Sequence, residues 1–129
     1  MSGASEALRV AAVAALSPIE GIGRVYDAPP IQAALPHALI ECDLESDWSH
    51  KSGVGREVRL AATLFDKGER PERLRQLSGE AEAALAAMGG SIGGWRLVTM
   101  RYLRTRVVRE PKGGWAGVIE FRARMLTAD

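Results

Sequence analysis

The chain has 129 residues, with 17 Lys or Arg against 16 Asp or Glu and a formal net charge of +1. That length fits one domain, and the near balance of charge removes the usual warrant for a polybasic nucleic-acid coat or membrane-surface protein. Hydrophobic residues make up 47% and charged residues 26%, an ordinary globular composition that excludes a disordered chain.

The first residues, Met1-Ser2-Gly3-Ala4-Ser5-Glu6, lack the basic start and apolar core of a secretory signal. A helix is predicted over residues 5–16, where Leu8, Ala11, Ala12, Ala15 and Leu16 recur at helical spacing. Ser5 can cap its start and Pro18 follows its end. Residues 17–36 hold four of the six prolines and read mostly as loop, with Arg24-Val25-Tyr26 as a short edge strand. Residues 37–47 then alternate: Ala38, Ile40, Cys42 and Leu44 point one way, while Glu41, Asp43, Glu45 and Asp47 point the other. A hairpin loop over 46–55 leads to a second strand, 56–65, with Val58, Leu60, Ala62 and Leu64 on one face and Glu57, Arg59 and Thr63 on the other.

Asp66-Lys67-Gly68 is a turn, and Pro71 suits the first turn of a second helix. Its stripe is Leu74, Leu77, Ala81, Leu85 and Met88, closed by Gly89-Gly90 as a C-cap. Two strands, 95–108 and 115–126, complete the chain, joined by a turn at Pro111-Lys112-Gly113-Gly114. The expected architecture is one α+β domain over residues 1–129. It has a mostly antiparallel sheet of about four to five strands with two helices packed on one face.

Catalytic chemistry is not visible in this pattern. Cys42, the single cysteine, sits on the apolar side of a strand, which suits a buried thiol in a reducing compartment. His37 and His50 have no motif around them, and nucleophilic catalysis needs an oriented nucleophile–base pair. Three Cys or His residues without paired spacing make no zinc site, and Gly21-Ile22-Gly23 and Gly53-Val54-Gly55 complete no phosphate loop. Neither an enzyme, nor a metal, nor a cofactor is expected.

The charges are more informative. Alternate strand residues stand about 6.5 to 7 Å apart, so Glu41, Asp43, Glu45 and Asp47 make an acidic ladder on one face. A straight strand spreads these carboxylates too widely to converge on one cation. A solvated face with cross-strand partners such as Arg56 and Arg59 is favoured, and a functional acidic surface is the alternative. Residues 1–95 carry nine basic and thirteen acidic groups, a net of −4, whereas residues 96–129 carry eight and three, a net of +5. Arg96, Arg101, Arg104, Arg106, Arg109, Arg122 and Arg124 make the final hairpin arginine-rich. No recognition-helix or aromatic-interleaved motif accompanies them, and arginine forks also serve protein interfaces. Candidate interface residues are Trp48, Lys51, Arg56, Arg104, Arg106, Arg122 and Arg124, with head-to-tail association of identical subunits as the arrangement that suits the split. Trp95 and Trp115 read as core or edge residues instead.

Several local patterns occur together and in order. They are Gly23-Arg24-Val25-Tyr26-Asp27 with Leu35-Pro36, then Asp47-Trp48-Ser49-x-Lys51-x-Gly53-x-Gly55-Arg56-Glu57, then Trp95-Arg96-Leu97-Val98 and Val108-Arg109-Glu110-Pro111. Gly117-Val118-Ile119-Glu120-Phe121-Arg122-Ala123 completes the set. Over roughly residues 5–126 the chain resembles the tail-completion, or tail-terminator, proteins of siphophages, prophages and gene transfer agents. The resemblance implies a structural virion protein, assembled in the bacterial cytoplasm, that forms a ring, typically a hexamer. Such a ring caps the tail tube, ends addition of the major tail tube protein and docks a head-side connector or stopper, with DNA passing through its lumen. Under that implication the acidic ladder Glu41 to Asp47 could line the channel, where like charge would keep DNA from sticking. The alternatives are another neck component, such as a connector or stopper, and a small DNA-binding protein using the arginine-rich hairpin.

Overall fold

In the computed structural model, which describes residues 3–127, the alternating segments become long strands and the two apolar stripes become helices. The elements in chain order are α1 (Ala4–Leu16), β1 (Val25–Tyr26), β2 (His37–Asp47), β3 (Gly55–Asp66), α2 (Glu72–Ala86), β4 (Gly90–Ile92), β5 (Trp95–Arg109) and β6 (Trp115–Thr127). They form one six-stranded sheet in the order β1-β2-β3-β6-β5-β4. Every pairing is antiparallel except β1 with β2, so the sheet is mixed.

Six strands stand where four to five were expected. The addition is β4, which falls where Gly89-Gly90 reads only as a helix stop. After α2 the chain reverses through Gly93 and Gly94, both at positive φ, and lays Gly90–Ile92 against Leu97, Arg96 and Trp95. Three residues are too few to display a period of two.

Both helices share one core with one face of the sheet. Leu8 and Leu16 of α1 and Leu74 and Leu85 of α2 pack with Leu60, Leu64, Ile119 and Phe121, all at most 1% exposed. Each such side chain contributes about 1.5 to 3 kcal/mol on burial. The close approach of α2 to the sheet depends on Gly117, where a Cβ would stand 2.6 Å from Ser78 Oγ. Cys42 lies in this core, and burial pushes its thiol up to about 12, which leaves it unreactive.

The start of α1 departs from expectation. Gly3, not Ser5, is the N-cap residue, and it offers no side-chain bond. Ser5 lies in the first turn and donates its backbone N–H (3.0 Å) and its hydroxyl to Glu45 Oε1. A carboxylate of β2 thus satisfies the helix end that a local cap would otherwise serve.

Candidate functional site

The side of the sheet away from the helices is open, and its chemistry follows from strand register. β3 and β6 pair without a break from Gly55↔Leu126 to Asp66↔Trp115. Residues directly opposite in an antiparallel ladder share a face. With Val58 and Leu60 committed to the core, the residues between them turn outward. Cross-strand rows therefore form on the open face: Glu57, Arg124 and Thr99; Arg59, Arg122 and Arg101; Ala61, Glu120 and Arg104; Thr63, Val118 and Arg106.

Some of these arginines are paired and some are not. Arg104 donates Nε and Nη2 to the two oxygens of Glu120 at 2.6 and 3.2 Å. Those hydrogen bonds raise the guanidinium above its ordinary value. Arg124 Nε donates to Glu57 Oε1 at 3.0 Å, and the Arg122 Nε stands 3.8 Å from the same oxygen with no hydrogen-bond acceptor. Among the described residues, Arg59, Arg101 and Arg106 make no ion pair. Arg59, Arg122 and Arg101 consequently form a row of like charges across three neighbouring strands, and each such opposition costs about 0.2 to 1 kcal/mol.

The acidic ladder does not survive in the structure. Between Glu41↔Ala61 and Leu44↔Arg59 the register slips by one residue at a bulge. An extra residue reverses which face the following side chains take. Glu41 stays on the open face, Leu44 joins it at 61% exposed, and Glu45 and Asp47 turn to the helix side. There Arg56 bridges Glu45 and Asp47, each at 3.2 Å. Asp47 also accepts the Ser49 hydroxyl at 2.6 Å, the chief reason its carboxyl is held below the ordinary value. Asp43, in the bulge, lines a depression of ≈ 170 Å³ with Glu41, Arg59 and Glu120. The four carboxylates are therefore split between two faces and a bulge, and do not share one acidic wall. Among the described residues no group of three or more His, Cys, Asp or Glu gathers in ligand geometry.

The loop between β2 and β3 folds back on its own domain. Trp48 N–H donates to Gly55 O at 2.9 Å, and a Cβ at Gly55 would stand 2.2 Å from the Trp48 carbonyl oxygen, so only glycine closes this turn. The Trp48 ring lies edge-on to His50 at 4.5 Å and under the Arg124 guanidinium at 5.4 Å. Lys51 projects from the loop, exposed, and makes no ion pair among the described residues. Trp95 is buried, and Trp115 donates Nε1–H to Gly68 O at 3.1 Å under the Arg109 guanidinium.

The sequence reading overlooked Arg59 and Arg101 as members of one row, because their alignment depends on which residues pair across strands. It also overlooked a cleft of ≈ 370 Å³ lined by Leu35, His37, Phe65, Pro111 and Trp115, among others, drawn from three distant segments. No local pattern marks either feature.

The tail completion protein gp17 family matches the chain over residues 6–126. Among curated proteins no sequence matches this chain. A chain from the virion of a native gene transfer agent (GTA) particle has the same fold, with a TM-score of 0.84 and 22% identity; the match covers 98% of this chain and 99% of that one. Among the described residues no helix is long and apolar enough to cross a membrane. The chain belongs to the tail completion protein gp17 family, a family of structural virion proteins rather than of enzymes.

Proposed function

We propose that this protein is the tail terminator of a phage-like particle. Copies of the chain form a ring, a hexamer in this reading, on the finished end of the tail tube. The ring ends addition of tube protein, presents a surface to the head-side connector and leaves a lumen through which DNA passes. The observation that carries this reading is the family match over residues 6–126, nearly the whole of the given chain. The fold shared with a chain of a gene transfer agent virion supports it. Such a role needs docking surfaces and not reactive groups, and function resides in those surfaces and not in the fold.

The test is deletion of the gene in a producing strain, followed by electron microscopy of the products. The expected outcome is unjoined heads together with tubes of uneven length. Joined particles of normal length would overturn the terminator role. Tubes of normal length that fail to join heads would move the protein to a connector or stopper position instead.

A further inference from the structure

The sheet has two unfinished edges. β1 covers β2 only at Ala38 and Leu39, and β4 covers β5 only at Trp95, Arg96 and Leu97. Beyond those contacts, β2 over residues 40–47 and β5 over residues 98–109 have a strand on one side only. Past Ile40, whose N–H is taken up by the pairing of Tyr26 with Leu39, no hydrogen bond from outside the sheet's own ladders reaches the N–H and C=O groups of either stretch among the described residues. An edge of this kind is a template for a further strand.

The two edges lie at matching heights. Ile40 is level with Thr105 through Ala62 and Ile119, and Ser46 is level with Thr99 through Glu57 and Arg124. β2 and β5 also run in opposite directions, since three antiparallel pairings separate them. Rotating a copy about an axis along the strands therefore sets β5 of one beside β2 of the next in antiparallel orientation.

Their charges are opposite. Residues 40–47 hold four carboxylates and no cation, whereas residues 98–109 hold four arginines and no carboxylate. Glu45, Asp47 and Arg104 are engaged within the chain, and Arg109 stacks on Trp115. Glu41 and Asp43 on one edge, and Arg101 and Arg106 on the other, make no ion pair among the described residues. Like edges repel, so β2 against β2 and β5 against β5 are disfavoured. Leu44 and Tyr102, 61% and 40% exposed, add apolar area to the two edges.

We propose that copies of this chain join edge to edge, the free stretch of β2 pairing antiparallel with the free stretch of β5 in the next copy. The inference rests on the ring reading above and names the surfaces that close the ring. Contacts between unlike surfaces propagate head to tail and close when the rotation allows. The occupant of each edge is a second copy of this chain: Glu41 stands level with Arg104, so Glu41 and Asp43 meet Arg101 and Arg106 on either side of it as diagonal neighbours.

The test uses the full chain in sedimentation velocity, with two charge-reversed variants. One carries Arg101→Glu with Arg106→Glu, and the other carries Glu41→Arg with Asp43→Arg. The unaltered chain is expected to assemble, while each variant alone loses about a hundredfold or more in association and sediments as a monomer. Circular dichroism and melting should show both variants folded. Mixed one to one, they should regain assembly, because each variant then meets only complementary edges. Amide hydrogen exchange should slow within residues 40–46 and 99–105 on assembly. If either variant alone assembles like the unaltered chain, or the mixture stays monomeric, the edge pairing is overturned while the ring reading stands. An unaltered chain that stays monomeric at every concentration overturns both.

Discussion

On its helix-covered side the sheet presents Leu60, Leu64, Ile119 and Phe121, none more than 1% exposed, while on the other side Arg59 and Arg122 of the same strands line up with Arg101 of neighbouring β5. The first set is held by burial and would suffer from any change in volume. The second is a row that opposes like charges, in which only Arg122 has a carboxylate near it, Glu57 at 3.8 Å. A row that costs the isolated chain folding free energy fits a place where a partner contributes, so in the assembly proposed above the two faces divide folding from association.

Substitutions should divide along that line. Phe121→Ala, at a residue 0% exposed, should lose about 3 to 5 kcal/mol in chemical denaturation through transfer and cavity terms. Gly117→Ala forces a Cβ to within 2.6 Å of Ser78 Oγ and should lose about 1 to 3 kcal/mol as α2 is pushed off β6. Asp66→Asn tests the helix-side ion pair in which Arg73 donates to both Asp66 oxygens at 2.7 and 2.6 Å. Those bonds, and the Lys67 N–H, hold the Asp66 carboxyl below its ordinary value of 3.8. A lowered carboxyl stabilises the fold above the unfolded value, and that contribution disappears as pH falls through the folded value. The gap in melting temperature between Asp66→Asn and the unaltered chain should thus be full near neutral pH and close on acidification below 3.8. Glu45→Ala, which frees the first turn of α1, should lose about 1 kcal/mol by thermal denaturation. Arg101→Gln should shift stability least, by a gain of about 0.2 to 1 kcal/mol from relieved repulsion, while weakening self-association. A loss of stability comparable to that of Gly117→Ala would place Arg101 with the folding residues and erase the contrast between the faces.

The contrast also explains what could be read from the residues alone. Strands β2, β3, β5 and β6 and both helices were legible because their apolar periods are long and agree with the one core they share. The open face was only half legible. Glu57, Arg59, Glu120, Arg122 and Arg124 alternate visibly outward, but β5 and β2 each contain bulges, and nothing in residues 41–44 announces one. The pattern of acids at alternate positions continues unbroken through the bulge while the backbone beneath it slips, so Glu45 and Asp47 change faces without any change in sequence rhythm. Glu45 reaches Ser5 across 40 residues for the same reason, and a local reading assigns that helix cap to Ser5 itself. The family resemblance was legible in the Asp47-Trp48-Ser49 to Gly55-Arg56-Glu57 loop, and the clash at Gly55 gives one physical reason that this loop needs its glycine.

The central claim is that this chain forms a ring at the end of a tail tube. It is tested most directly by electron microscopy of intact purified particles at a resolution that traces strands. The account predicts a ring of this chain between the tube and the head-side connector, with β2 of each copy beside β5 of its neighbour. A map that assigns the position between tube and connector to other chains, and finds this one elsewhere or missing from the particle, would contradict it.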